Sequence, residues 1–231
     1  MTIFKLKQIA STSIHAAAGV MPWNYDRAEL IADGVVHIIG VCLGLVAATA
    51  LIVLTAVYAD AIDIAAASVY VAGLLAMLVM SATYNLWPVS RAKWVLRRFD
   101  HSAIYLLIAA TYTPLIMELR ASTFAIALLI GVWCVAISGI VLKLARPGRY
   151  DRVAVGLYLA LGWSGVMLYD PVVKALPSLS LWLVVAGGVL YSFGVIFHAW
   201  RRLRFQNAIW HGFVLLGAAC HYTAILDLVL T

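Results

Sequence analysis

Seven long apolar runs follow one another with little between them, at residues 35–58, 64–86, 101–119, 123–142, 153–169, 179–198 and 208–230. A bilayer core about 30 Å thick is crossed by roughly 20 helical residues, and inside it every backbone polar group must find its partner within the protein. Barrel strands would alternate over about ten residues between turns, whereas these runs are continuously apolar. The pattern predicts an all-α fold, a polytopic membrane bundle of seven transmembrane helices. Composition agrees: 65% of residues are hydrophobic, 11% are charged, and mean hydropathy is +1.01, which excludes an ordinary water-soluble domain.

The net charge of +6 comes from 16 Lys and Arg that lie in the loops between the runs. Lys5, Lys7, Arg27, Arg91, Lys93, Arg97, Arg98, Lys143, Arg146, Arg149, Arg152, Arg201, Arg202 and Arg204 fall on one side, leaving only Arg120 and Lys174 on the other. Basic loops stay in the cytoplasm. The rule therefore predicts a cytoplasmic N-terminus and, after an odd number of crossings, an outside C-terminus. The clusters at 91–98 and 143–152 would lie against anionic headgroups, so the charge requires no nucleic-acid partner.

Residues 1–26 carry Lys5 and Lys7, and Gln8, Ser11, Thr12, Ser13 and His15 interrupt their apolar character. This reads as a mobile or interfacial cytoplasmic tail rather than a cleaved signal, ahead of one domain spanning 27–231. Cys42, Cys134 and Cys220 each sit in an apolar run without metal-binding spacing, and buried reduced thiols are expected. Gly156, Ala160 and Ser164 recur every four residues, a stripe of small side chains that would let another helix approach closely. Pro114 predicts a kink in the third helix. No internal repeat suggests the paired halves of a transporter.

Polar groups at membrane depth are costly, and here they gather at one end. Asn85 closes the second run, Asp100 and His101 open the third, His198 ends the sixth, and Asn207 and His211 open the seventh. Asn207 and His211 lie one turn apart on one face, with His221 in the same arc roughly 15 Å deeper. Ser81 and Asn85 form a similar pair in the second run. Taken singly, each has a plain structural role: an interhelical hydrogen bond or cap for the asparagines, headgroup contact for His101 and His198, pairing with Arg97 or Arg98 for Asp100, and a juxtamembrane cluster for Glu29, Asp33 and His37. Only their coincidence at one level marks a site.

The segments Ser81-Ala-Thr-Tyr-Asn85, Arg98-Phe-Asp100-His101-Ser-Ala-Ile-Tyr105, Thr111-Tyr-Thr-Pro114 and Ile209-Trp210-His211, followed by His221-Tyr222, resemble the hemolysin III family, the bacterial branch of the adiponectin and progestin receptor group. The Glu29 to His37 region is similar to the start of that family's first helix. The resemblance implies a seven-helix bundle in the bacterial inner membrane, holding zinc near its cytoplasmic face through three histidines. Carried over by position, those ligands fall on Asn85, Asn207 and His211, while Ser81 is the motif serine and Asp100 the aspartate that holds a water. Two of three imidazoles are therefore amides here. A neutral amide oxygen is a poor zinc donor, and His101 or His37 would have to replace it.

The expected function is a hemolysin III-like membrane protein that senses or maintains membrane lipid composition, with a site that has lost its zinc. One alternative is an active zinc-dependent lipid amide hydrolase resembling the ceramidases, in which Asp100 and the metal would activate water and Ser81 would orient the bound group. Another is a pore-forming cytolysin, which would need polar faces on several helices. Membrane lipids are the expected partners. The sequence leaves the oligomeric state open.

Overall fold

The computed structural model of the chain describes residues 25–146, 151–200 and 202–231, with 151 and 152 as backbone only. The tail expected at 1–26 lies, up to residue 24, outside the described residues. The described residues form helices and no strand: α1 (Arg27–Tyr58), α2 (Ala61–Leu86), α3 (Arg91–Met117), α4 (Thr123–Ala145), α5 (Asp151–Trp163), a 3₁₀ segment (Ser164–Leu168), α6 (Tyr169–Ala175), α7 (Ser178–Ala199) and α8 (Gln206–Leu230). α5, the 3₁₀ segment and α6 together make the fifth crossing, so the expected seven spans are present. Six of them are long and apolar enough to cross a membrane on length and composition alone.

The span that fails the composition test is α3, and its position explains why. Tyr105, Ala109 and Ala110 are fully buried, and α3 contributes to both hydrophobic cores of the bundle. One core joins it to Leu129 and Val132 of α4 and Leu161 of α5; the other joins Leu107 to Leu51 of α1, Tyr70 and Leu74 of α2 and Ile225 of α8. A helix wrapped by neighbours need not be apolar all round to live in a bilayer. It starts ten residues before the third apolar run, capped by Ser90. Its first turns carry Lys93 and Arg97, both buried. Lys93 Nζ donates to the carbonyls of Asn85 (3.1 Å) and Trp87 (2.8 Å), closing the C-terminal end of α2 where orphan carbonyls need donors.

Pro114 lies inside α3, which runs on to Met117. A break lies in the fifth crossing, where the sequence predicts one helix. The Tyr112 hydroxyl reaches in from α3, accepts from the N–H of Gly165 (2.6 Å) and lies 2.9 Å from the carbonyl of Gly162, to which it donates. The backbone bond that Gly165 would make one turn back is thereby taken over by a side chain, and the helix tightens to 3₁₀ at Ser164.

The small-residue stripe does not serve packing as expected. Gly156 and Ala160 are exposed, and nothing lies within 4 Å of a Cβ placed on Gly156. Ser164 instead bonds the Leu161 carbonyl beside the 3₁₀ break. Close approach occurs elsewhere: Gly73 faces Ala110 of α3, and Gly187 faces the His221 ring of α8. The cysteines also differ from expectation. All are free, but Cys42 and Cys134 are exposed on the bundle's outer surface rather than buried inside it. In lipid, that surface is itself apolar, so composition alone could not separate the two.

Candidate functional site

Each polar element end at the basic side is fixed by local chemistry. Asp26 and Glu29 form a reciprocal capping box at the start of α1, each side chain accepting from the other's backbone N–H at 2.8 Å. The second Glu29 oxygen accepts from the N–H of Phe205 at 3.0 Å. Phe205 stands at the N-cap of α8 in the left-handed region (φ 60°), which a bulky residue rarely adopts. This contact pins the start of α8, and so Asn207 and His211, against the first turns of α1.

The candidate residues meet there. Asn85 Nδ2 donates to the Ser81 carbonyl at 3.0 Å, and Asn207 Nδ2 lies 3.5 Å from Asn85 Oδ1. Asp100 lies close to Ser81 of α2, His211 of α8, His37 of α1 and Arg97 of its own helix. Ser81, Asn85, Asp100, Asn207 and His211, from α2, α3 and α8, line one cavity.

The sequence reading treated Asp33 and His37 as part of a juxtamembrane cluster; the structure brings both to His211. His211 Nδ1 lies 2.6 Å from Asp33 Oδ1, and the His37 and His211 rings stand 4.4 Å apart between centroids. Asp33 and His37 are one turn apart on α1, which puts them on one face. Their spacing was the available signal; the missing information was which helix would face them. Asp33, His37 and His211 form a group able to hold a metal ion, their ligand atoms all within 4.8 Å of one another.

The other candidate histidines stay apart. His101 Nε2 is 4.0 Å from its neighbour Asp100; it lines the cavity but is not part of the Asp33, His37 and His211 group. His221 lies against α7, 3.2 Å from the Val184 carbonyl, and packs on Gly187. The polar stripe along α8 therefore divides: Asn207 and His211 enter the site, while His221 ties two helices together. His198 packs on Trp210.

Below the polar end the cavity continues between α3, α5, α7 and α8; the whole, polar end included, has a volume of about 1780 Å³. Ile104, Leu107, Ile108, Leu115 and Val214 make its walls apolar. Val166 and Trp182, 61% and 71% exposed, also line it, so it reaches the lipid-facing surface beside the fifth crossing.

This arrangement of seven spans with a polar cluster at the basic end has known counterparts. The profile of the family described as Haemolysin-III related matches residues 28–222. The chain belongs to the haemolysin-III family. Among its relatives, the Hemolysin-3 homolog of Bacillus subtilis (strain 168) is 36% identical over 198 residues, 86% of this chain and 93% of the relative. Hemolysin-3 of Bacillus cereus is 34% identical over 202 residues, 87% of this chain and 92% of the relative. The Heptahelical transmembrane protein ADIPOR2 of Oryza sativa subsp. japonica is 27% identical over 183 residues, 68% of this chain and 79% of the relative. This haemolysin-III protein is a multi-pass integral membrane protein of the bacterial plasma membrane.

Within the haemolysin-III frame, the motif set of Asn85, Asn207 and His211 does not fit zinc. The two amides are turned toward each other and toward Ser81. One imidazole with two neutral amides is a weak donor set for a borderline-soft cation.

Proposed function

We propose that this haemolysin-III protein takes an acyl-chain amphiphile into its cavity and acts in sensing or maintaining membrane lipid composition. The observation that supports this reading is the shape and polarity of the cavity. An apolar channel opens toward lipid and ends at Ser81, Asn85, Asp100, Asn207 and His211. Its volume of about 1780 Å³ exceeds the ~300–1,000 Å³ typical of small-molecule pockets and suits a long flexible chain. The polar end mixes the acids Asp33 and Asp100 with Lys93, Arg97 and Lys143 and with the amides Asn85 and Asn207, a lining that suits a headgroup able to donate and accept hydrogen bonds, such as an amide or alcohol. With the basic end cytoplasmic, that headgroup would sit at the inner leaflet.

The amide pair at Asn85 and Asn207 suits binding better than zinc-dependent hydrolysis, because amides accept and donate to a headgroup but do not hold a Lewis acid well. A cytolytic pore would need a polar lining across the bilayer, whereas this lining is mostly apolar, with Thr111 and Tyr112 interrupting Ile104, Leu107, Ile108 and Leu115 along α3.

The reading is tested by lipid mass spectrometry of membranes from cells with and without the protein. Loss of the protein should shift the acyl-lipid profile, with the shift reversed by the wild type and not by His211→Ala. Identical profiles in all three strains would refute the role.

A further inference from the structure

We infer that the protein carries a transition-metal site made by Asp33 and His37 of α1 and His211 of α8, a set that shares only His211 with the motif positions of the sequence. Three observations carry it. First, the donor set is two imidazoles and one carboxylate, drawn from two helices and converging within 4.8 Å. Two ligands of one tetrahedral zinc stand about 3.3 Å apart at metal–ligand distances of ~2.0 Å, so side-chain torsions alone close the difference. Second, the set is enclosed: the side chains of Asp33, His37 and His211 are 7%, 6% and 11% exposed. Third, the His37 Nε2 atom is buried without a hydrogen-bond partner. It points to Asp33 Oδ2 at 3.7 Å, too far to bond it directly.

Asp33 already pairs with His211, but the orphaned His37 nitrogen is costly, and one cation held among the three satisfies it. Imidazole donors select zinc and its first-row neighbours over magnesium or calcium, which prefer oxygen. The helical scaffold holds the ligands without the two motif asparagines. Asp33 and His37 are set by their one-turn spacing on α1, and His211 is set by the Glu29 contact at the start of α8. Asn85 and Asn207 lie beside this group as cavity wall.

The test uses the full chain in nanodiscs, stripped of metal and titrated with zinc, with magnesium as the control ion. One equivalent of zinc should bind, and magnesium should not compete. His37→Gln should weaken zinc by more than the ~10–100-fold that loss of an outer-shell partner costs. Asn85→Ala and Asn207→Ala should leave the affinity within about threefold, since neither supplies a donor. Because a buried substitution can unfold the bundle, a second variant reads the site directly. His37→Cys loaded with cobalt should gain a thiolate-to-metal charge-transfer band. Absence of saturable zinc binding would overturn the proposal. So would zinc binding that His37→Gln leaves intact, or a folded His37→Cys protein lacking the cobalt band. Lipid binding measured on metal-free protein is a separate result, so the lipid reading and the metal reading fail independently.

Discussion

The hydroxyl of Tyr112 on α3 accepts a 2.6 Å hydrogen bond from the backbone N–H of Gly165, four residues after the point where α5 would need its own Leu161 carbonyl. One side chain from the central helix thus decides where the fifth crossing stops being an α-helix. Removing that hydroxyl leaves backbone groups of the break without their partner.

Tyr112→Phe should destabilise the bundle by about 1–3 kcal/mol, the cost of an unsatisfied buried polar group. Thermal unfolding in detergent measures it. An unchanged midpoint would mean that the break does not depend on the hydroxyl.

Two glycines on neighbouring spans should respond in opposite directions. A Cβ on Gly187 meets the His221 ring and approaches the Gly217 carbonyl at 3.1 Å, whereas one on Gly156 meets nothing within 4 Å. Gly187→Ala should cost about 1–3 kcal/mol through overpacking. Gly156→Ala should be neutral or stabilise by up to ~1 kcal/mol through helix propensity. The same unfolding assay compares them, and a reversed order would show that span five packs through its small stripe after all.

At the end opposite the site, Asp60 caps α2 by accepting from the N–H groups of Asp63 (3.0 Å) and Ile62 (2.8 Å), and it pairs with Arg120 at 3.1 Å. The Asp63 N–H first, then Ile62 and Arg120, hold its carboxyl below the ordinary aspartate value. A depressed folded pKa contributes stability that is complete above the unfolded value of about 3.9 and is lost as pH falls through the folded one. Asp60→Asn keeps a capping side chain and should flatten the acid limb of the stability profile below about pH 4. A limb as steep as the wild type's would assign the acid sensitivity to other carboxylates.

The charge asymmetry makes a topological prediction. A reporter fused after Thr231 should read as outside and one inserted between α2 and α3, at residues 87–90, as cytoplasmic. An inside signal from the C-terminal fusion would break the positive-inside argument and place the site at the outer face.

Much of this architecture was legible in the sequence because lipid imposes a single requirement, long apolar helices, that composition records directly. Even α3, polar at its start, was found from its apolar second half; its first ten residues were missed because Lys93 and Arg97 owe their burial to neighbouring helices. The site was legible by residue type. Ser81, Asn85, Asp100, Asn207 and His211 do meet, since helical spacing and alternating direction bring them to one level. What spacing could not give is rotation about each helix axis. It decides that Asp33 and His37 face His211, that His221 packs on Gly187, and that Gly156 looks outward. Rotation is set by packing against partners distant in sequence, and the Tyr112 contact with Gly165 is of that kind.

The account's central claim is that the apolar cavity ending at Asp100 and His211 holds an acyl chain with a hydrogen-bonding headgroup. Equilibrium binding of a tritiated long-chain N-acyl ethanolamine to the metal-free protein in nanodiscs, corrected for empty nanodiscs, tests it most directly. Saturable binding at one site per chain, weakened about tenfold or more (~1.4 kcal/mol) by His211→Ala and by Asp100→Ala, is the predicted result. Uptake no greater than that of empty nanodiscs, or saturable binding indifferent to both substitutions, would contradict it.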